Sequence, residues 1–314
     1  MKLLQDHART VFLMVFYIIG FEGVAYAQVP SQPNSTTQKS LKDASLRITI
    51  KAYDFELDDR TRRDLELGLA NVFTFFHYRF RIGYHLPFHM KVNMFKDGAQ
   101  FDAFFNEPGI HRRVAGRYTF RTKEVSVHWT GSRDKVISTA IHETSHRVLG
   151  AAIRSTTCPM WLNEGLAEYF GQGRASGNNV VIKPNTYQER LLRDALRNGS
   201  LPALKEHVNL HIIAWQGGNT QLNYAIAWSM VSLLMSSNQG KALIQKILHE
   251  LAYDRPSTFD SVLAFDKHYK GGLTYFEKEW HKYIEGRKKS ISYPSDVRRR
   301  AFFEVIPSTL RVNR

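Results

Sequence analysis

Ile141-His142-Glu143-Thr144-Ser145-His146 opens the stretch that decides how this chain reads, and Trp161-Leu162-Asn163-Glu164-Gly165-Leu166-Ala167-Glu168-Tyr169 closes it. On a helix, His142 and His146 stand four apart, so both imidazoles leave one face a turn from each other. That spacing lets two ring nitrogens hold one metal ion and leaves Glu143 beside the metal rather than on it. The flanking Val136, Ile137, Ala140, Ile141, Val148 and Leu149 recur at helical period, which predicts a half-buried helix. After His146 and seventeen intervening residues comes Glu164, and Glu168 follows four further on, on the same face of a second helix. Trp161, Leu162, Leu166 and Phe170 supply that helix's buried side. Two histidines and one carboxylate leave a fourth zinc position for water, as a catalytic site requires.

These two pieces together resemble the gluzincin zinc metallopeptidases, and most of all the peptidase MA-like group. The resemblance spans about residues 115–236. It implies an α+β, zincin-like fold: an N-terminal mixed α/β lobe with a small sheet and the active-site helix, then a mainly helical C-terminal lobe. It further implies that His142, His146 and Glu164 bind one Zn²⁺ per chain and that Glu143 is the general base. Glu168 matches an acidic position that orients a ligating imidazole from outside the metal's own shell. In that group a tyrosine often opens the helix that packs near the metal. Here Tyr224 stands at the start of the predicted helix Leu222 to Ser236. It is a candidate catalytic residue, its phenol donating to the oxyanion of a tetrahedral intermediate, against the plainer reading of a core tyrosine. The resemblance also makes the strand before the metal helix, Glu124 to Thr130, an exposed sheet edge along which an extended peptide lies.

The implied activity is hydrolysis of peptide bonds by an exported metallopeptidase acting on a peptide or protein substrate. The aminopeptidase subtype is disfavoured. The segment that holds a substrate's free amine there has no counterpart in Ala115-Gly116-Arg117-Tyr118, and the ligand spacing is one residue shorter than usual. An endopeptidase fits better. The alternative is a catalytically silent binding or assembly protein of the envelope on the same fold. Against it, the three expected ligands and the base are all intact.

Outward from this stretch, residues 1–27 read as a secretory signal. Lys2 and Arg9 precede the short apolar run Val11 to Phe21, and Ala25-Tyr26-Ala27 is a small-x-small cleavage site. The other reading of this segment is an uncleaved anchor. Cleavage would leave a periplasmic or secreted protein. Residues 28–41 are polar with two prolines and read as a flexible leader. The α/β lobe then covers 42–175, the helical lobe 176–287, and a basic tail 288–314.

Within the first lobe the pattern predicts strands at Leu46 to Tyr53, Phe88 to Phe95, Ala115 to Phe120 and Glu124 to Thr130. A helix after Asp58-Asp59 runs to about Phe80, and a short one covers Ala99 to Phe105. Ser132 is the expected N-cap of the metal helix. A short strand at Val180 to Ile182 follows. The second lobe is expected to carry helices at Tyr187 to Arg197, Leu222 to Ser236, Lys241 to Leu251 and Thr274 to Glu285. His77, His85 and His89 lack ligand spacing and read as surface or hydrogen-bonded side chains. Cys158 is the lone cysteine, which excludes an internal disulfide, and it reads as a small buried side chain.

Net charge is +14 and the pI about 9.8. A basic exported chain is drawn to anionic polymers or membrane faces, here through Lys288, Lys289, Arg298, Arg299, Arg300, Arg311 and Arg314. The bland counterpart is a solvated tail. No sequence signal marks a dedicated nucleic acid partner.

Overall fold

Leu46–Tyr53 alternates apolar and polar residues, and in the structure it forms β1 with Leu46 and Ile48 buried and Arg47, Thr49 and Lys51 exposed. The computed structural model describes residues 46–85, 87–153, 158–177 and 179–286. The expected signal (1–27), leader (28–41) and basic tail (288–314) lie outside the described residues. After β1 comes α1 (Asp59–Thr74), capped by Asp58, whose carboxylate accepts from the Thr61 N–H at 2.9 Å. Its last turn widens over Phe75–Arg79, where the Phe80 N–H reaches back five residues to the Phe75 carbonyl. Then follow β2 (Phe88–Phe95), α2 (Gly98–Phe105), a single 3₁₀ turn at Ile110–Arg112, β3 (Gly116–Thr119) and β4 (Glu124–His128).

The four strands lie in the order β1-β2-β4-β3, with β1, β2 and β4 parallel and β3 antiparallel at the edge. This corrects the expected substrate rail. Glu124–His128 is paired on both sides, by β2 and by β3, and the outer edge is β3. The cause lies in the strands' own residues. Val125 and Val127 are fully buried and belong mid-sheet, whereas the tight turn at Lys123 folds the more polar β3 back along β4's far side. Lys123 closes that turn by donating its N–H to the Thr119 carbonyl at 2.8 Å, in the left-handed conformation.

One sheet face is covered by α1 and by the long α3 (Arg133–Ile153), which begins where the Lys135 N–H donates to the Ser132 hydroxyl. Among the described residues the other face is covered at one end, where Phe95, Phe101, Ile110 and Val114 form a small aromatic-aliphatic cluster. α3 is followed by α4 (Met160–Gly171) and then a hairpin, β5 (Gly173–Ser176) with β6 (Asn179–Ile182). Cys158, just before α4, is half-buried, and burial pushes its thiol well up.

The remainder is helical: α5 (Thr186–Arg197), α6 (Leu204–His207), α7 (Ile212–Gly217), α8 (Thr220–Met235), α9 (Asn238–His249), α10 (Ser261–His268) and α11 (Gly272–Ile284). The protein is therefore α+β, a small mixed sheet with a mainly helical C-terminal part. The expected helices match α5, α8, α9 and α11, while the short α6, α7 and α10 lie in segments with no expected element. Among the described residues no helix is long and apolar enough to cross a membrane.

Two glycines set the approach of the elements around α3. A Cβ on Gly165 would stand 2.6 Å from the Ala227 carbonyl oxygen, so the glycine lets α4 lie directly on the α8 backbone. A Cβ on Gly116 would stand 2.6 Å from Thr139 and 3.1 Å from the Glu143 Cγ, so β3 presses on α3 at Glu143 itself.

Candidate metal centre

The middle of α3, from Val136 through Leu149, is buried apart from the half-buried Ser138. α4 crosses it with Trp161, Leu162, Leu166 and Phe170 turned inward, which carries Glu164 to the histidine face. His142, His146 and Glu164 meet there, at 5, 2 and 0 % exposure. The two Nε2 atoms are 3.1 Å apart, and the Glu164 Oε2 stands 3.7 Å from that of His142 and 3.6 Å from that of His146. A tetrahedral zinc with bonds of about 2.0–2.2 Å separates its ligand atoms by about 3.3–3.6 Å. The triangle therefore has the size that one such ion spans.

The outward nitrogens decide what the inward atoms are. His142 Nδ1 faces the Glu168 Oε1 at 3.3 Å, and His146 Nδ1 faces the Asn163 Oδ1 at 2.9 Å. Both partners are acceptors, so both Nδ1 atoms carry the proton and both Nε2 atoms present a lone pair inward. The Glu164 Oε2 has no hydrogen-bond partner among the described residues. In that tautomer the three inward atoms offer lone pairs to one buried place, where either protons or a metal ion can bind. Such a set is repulsive unless a cation sits between its members. Two imidazole nitrogens and a carboxylate oxygen are the donors of a three-ligand zinc site.

The surrounding groups complete the centre. Asn163, next to Glu164, bridges His146 and Glu164, since its Nδ2 also donates toward the Glu164 Oε1 at 3.4 Å. Gln188 of α5 donates its Nε2 to the other Glu168 oxygen at 2.9 Å. The Glu143 Oε2 accepts from the Tyr118 N–H of β3 at 2.8 Å. Tyr224 on the first turns of α8 is buried beside Glu164, packed edge-on against Trp215. Burial holds its phenol well above the usual tyrosine range, so it stays a donor.

The electrostatics follow from burial against the crowd of carboxylates. Burial lifts Glu143 to about 7, although His142, the Tyr118 N–H and Arg117 all pull it down. Burial lifts Glu164 to about 8, with the charges of Glu143 and Glu168 adding and those of His142 and the Tyr224 hydroxyl opposing. Burial pushes the His142 imidazole down, but the Glu168 hydrogen bond and the three carboxylates together carry it up to about 9. Burial and the neighbouring His142 hold His146 well below the usual histidine range. By its own charges alone the cluster binds protons where a metal would sit.

All six residues singled out from the sequence lie in this one place: His142, His146 and Glu164 as a triad, Glu143 on the β3 side, Glu168 on the His142 Nδ1, and Tyr224 on Glu164. His77 and His89 stand apart from it. The His77 Nδ1 contacts the Ile82 carbonyl, and His89 offers its backbone oxygen to Arg147. Sequence reasoning missed Asn163, Gln188 and the backbone of Tyr118. Asn163 was visible as the residue before the third ligand. Gln188 has no signal beyond being a polar residue on the apolar stripe of α5, and the Tyr118 contact is a backbone N–H that any residue supplies.

A family model described as "Protein of unknown function (DUF1570)" matches residues 136–257. The matched segment begins on α3 and includes every side chain of the centre while leaving out the sheet. No curated protein matches the chain.

Proposed function

We propose that this protein is a zinc-dependent metallopeptidase of gluzincin type, an endopeptidase acting after export on a peptide or protein. The observation that carries the reading is the convergence of two imidazole nitrogens and a carboxylate oxygen, all buried, at the separations of zinc ligands, with a further glutamate beside the first histidine. His142 and His146 would hold Zn²⁺ through Nε2, and Glu164 through Oε2. Zinc there supplies Lewis acidity, polarising a carbonyl and lowering the pKa of water toward about 7.

The remaining steps belong to the chain's own groups. Glu143, lifted to about 7 by burial, is poised to take a proton from water at neutral pH and to deliver it to the departing amine. Its hydrogen bond from Tyr118 fixes the carboxylate against the outer edge of the sheet. An extended peptide pairing with the edge of β3 would run past that base. Tyr224 steadies Glu164 through its hydroxyl and is a buried phenol able to donate to a developing oxyanion. The basic tail is left with an anionic polymer or membrane face as its partner, a contact that deletion of residues 288–314 should abolish.

The test is metal content by mass spectrometry on protein purified without added metal or chelator. About one zinc per chain is expected in the wild type and much less in Glu164→Ala. Glu143→Gln should keep the zinc and lose about 10²–10⁴-fold in peptide hydrolysis. Absence of zinc from the wild type after zinc is supplied would overturn the reading in favour of a binding or assembly role. Wild-type hydrolysis by Glu143→Gln would refute the mechanism.

A further inference from the structure

We propose that Gln188, on the helical half of the molecule, is a positioning residue that sets zinc affinity through Glu168 and His142; this rests on the metal-site reading above. α5 is an amphipathic helix whose buried residues are Gln188, Leu192 and Ala195, one stripe at helical spacing. An amide in an apolar stripe costs stability unless it is hydrogen-bonded. Gln188 is 7 % exposed, and its Nε2 donates to the Glu168 Oε2 at 2.9 Å while its Oε1 has no partner among the described residues. The side chain is thus oriented for its donor at the expense of its acceptor. A carboxylate can only accept here, so the amide orientation follows from the chemistry.

The backbone beneath it is fixed as well. Asn185 caps α5 by accepting the N–H of Gln188 itself at 3.1 Å. Glu168 is then held at both ends: one oxygen on the His142 Nδ1 at 3.3 Å, the other on Gln188. A carboxylate held at one end only turns about its broad terminal torsion. Held at both, its plane is set, and so are the tautomer and direction of His142. The chain His142–Glu168–Gln188 therefore runs through α3, α4 and α5, and it ties the metal face to a helix that packs on α8 and α11. Groups in this outer position change metal affinity by about 10–100-fold when lost.

The experiment is a zinc competition titration of the full chain against a chromophoric chelator, with wild type, Glu164→Ala, Gln188→Leu and Gln188→Met. The cobalt(II) absorption spectrum and the melting temperature of the metal-free protein are recorded in parallel. Both Gln188 variants should bind zinc about 10-fold more weakly and shift the cobalt bands, with the metal-free melting temperature held, because each fills the stripe. Zinc affinity within twofold of wild type in a folded variant would overturn the positioning role. A lowered melting temperature with unchanged affinity would do the same, because it marks a purely structural residue. Failure of the wild type itself to bind zinc more tightly than Glu164→Ala would instead sink the metal site, and this inference with it.

Discussion

The buried histidine pair of α3 and the lone buried His207 of α6 are surrounded in opposite ways. On α3, His142 and His146 each give their Nδ1 proton to an acceptor and aim the other nitrogen at Glu164. At the end of α6, His207 is 1 % exposed, packed against the Trp215 ring at 5.2 Å, and neither ring nitrogen has a hydrogen-bond partner among the described residues. The pKa values part accordingly. Carboxylates outweigh burial and bring His142 up to about 9, whereas burial alone drives His207 to about 4. Burial of an imidazole is therefore not the mark of a site. Oriented partners on the far nitrogen and convergence of the near ones are.

The comparison can be broken most sharply by removing a ligand. Glu164→Ala should weaken zinc binding by well over 100-fold, on the order of 3 kcal/mol or more by the tenfold-per-1.4 kcal/mol rule, whereas His207→Leu should bind zinc as the wild type does; equal losses in the two titrations would erase the distinction.

Next comes the pH dependence of stability. The folded pKa of His207 lies below its unfolded value, so the unfolded chain binds the extra proton. Stability is fully present above about pH 6.5 and is lost as pH falls toward 4. A shift from 6.5 to about 4 corresponds to about 3 kcal/mol. Urea unfolding at pH 7 and pH 4 should show that much less acid sensitivity in His207→Leu than in the wild type, and identical pH slopes would refute the assignment.

A smaller effect is expected from Asn163→Leu, which removes the acceptor on the His146 Nδ1. Zinc affinity should fall about 10-fold, while the same titration on His207→Leu stays flat. The smallest is the neutral-pH stability of His207→Leu itself. Exchanging an unpartnered buried imidazole for an apolar side chain of similar bulk should change unfolding free energy by less than about 1 kcal/mol, in either direction. A loss of several kcal/mol would show that His207 makes a bond that its surroundings do not reveal.

The histidine face of α3 was legible because its information is local. Four-residue spacing puts His142 and His146 on one helix face whatever the rest of the chain does, and the apolar flanks say that this face is buried. Glu164 and Glu168 are legible for the same reason, once the second helix is granted. The edge of the sheet was not. Glu124–His128 looks like an edge when read as the strand before the metal helix. Only the pairing of β2 with β4 and the folding-back of β3 decide that Tyr118, not β4, touches Glu143.

The sequence by itself determined the two helices, the shared face of His142 and His146 and the shared face of Glu164 and Glu168, because helical period and side-chain chemistry act over one or two turns. Tertiary structure alone decided which strand borders Glu143, that Glu164 meets the two histidines, that Gly165 lets α8 close on α4 and bring Tyr224 to Glu164, and that Gln188 reaches Glu168 across twenty residues. Those contacts join elements whose distance apart in space no local pattern encodes. They exist only where the packing of whole faces, a Cβ omitted here and a cap placed there, brings the elements within hydrogen-bond reach.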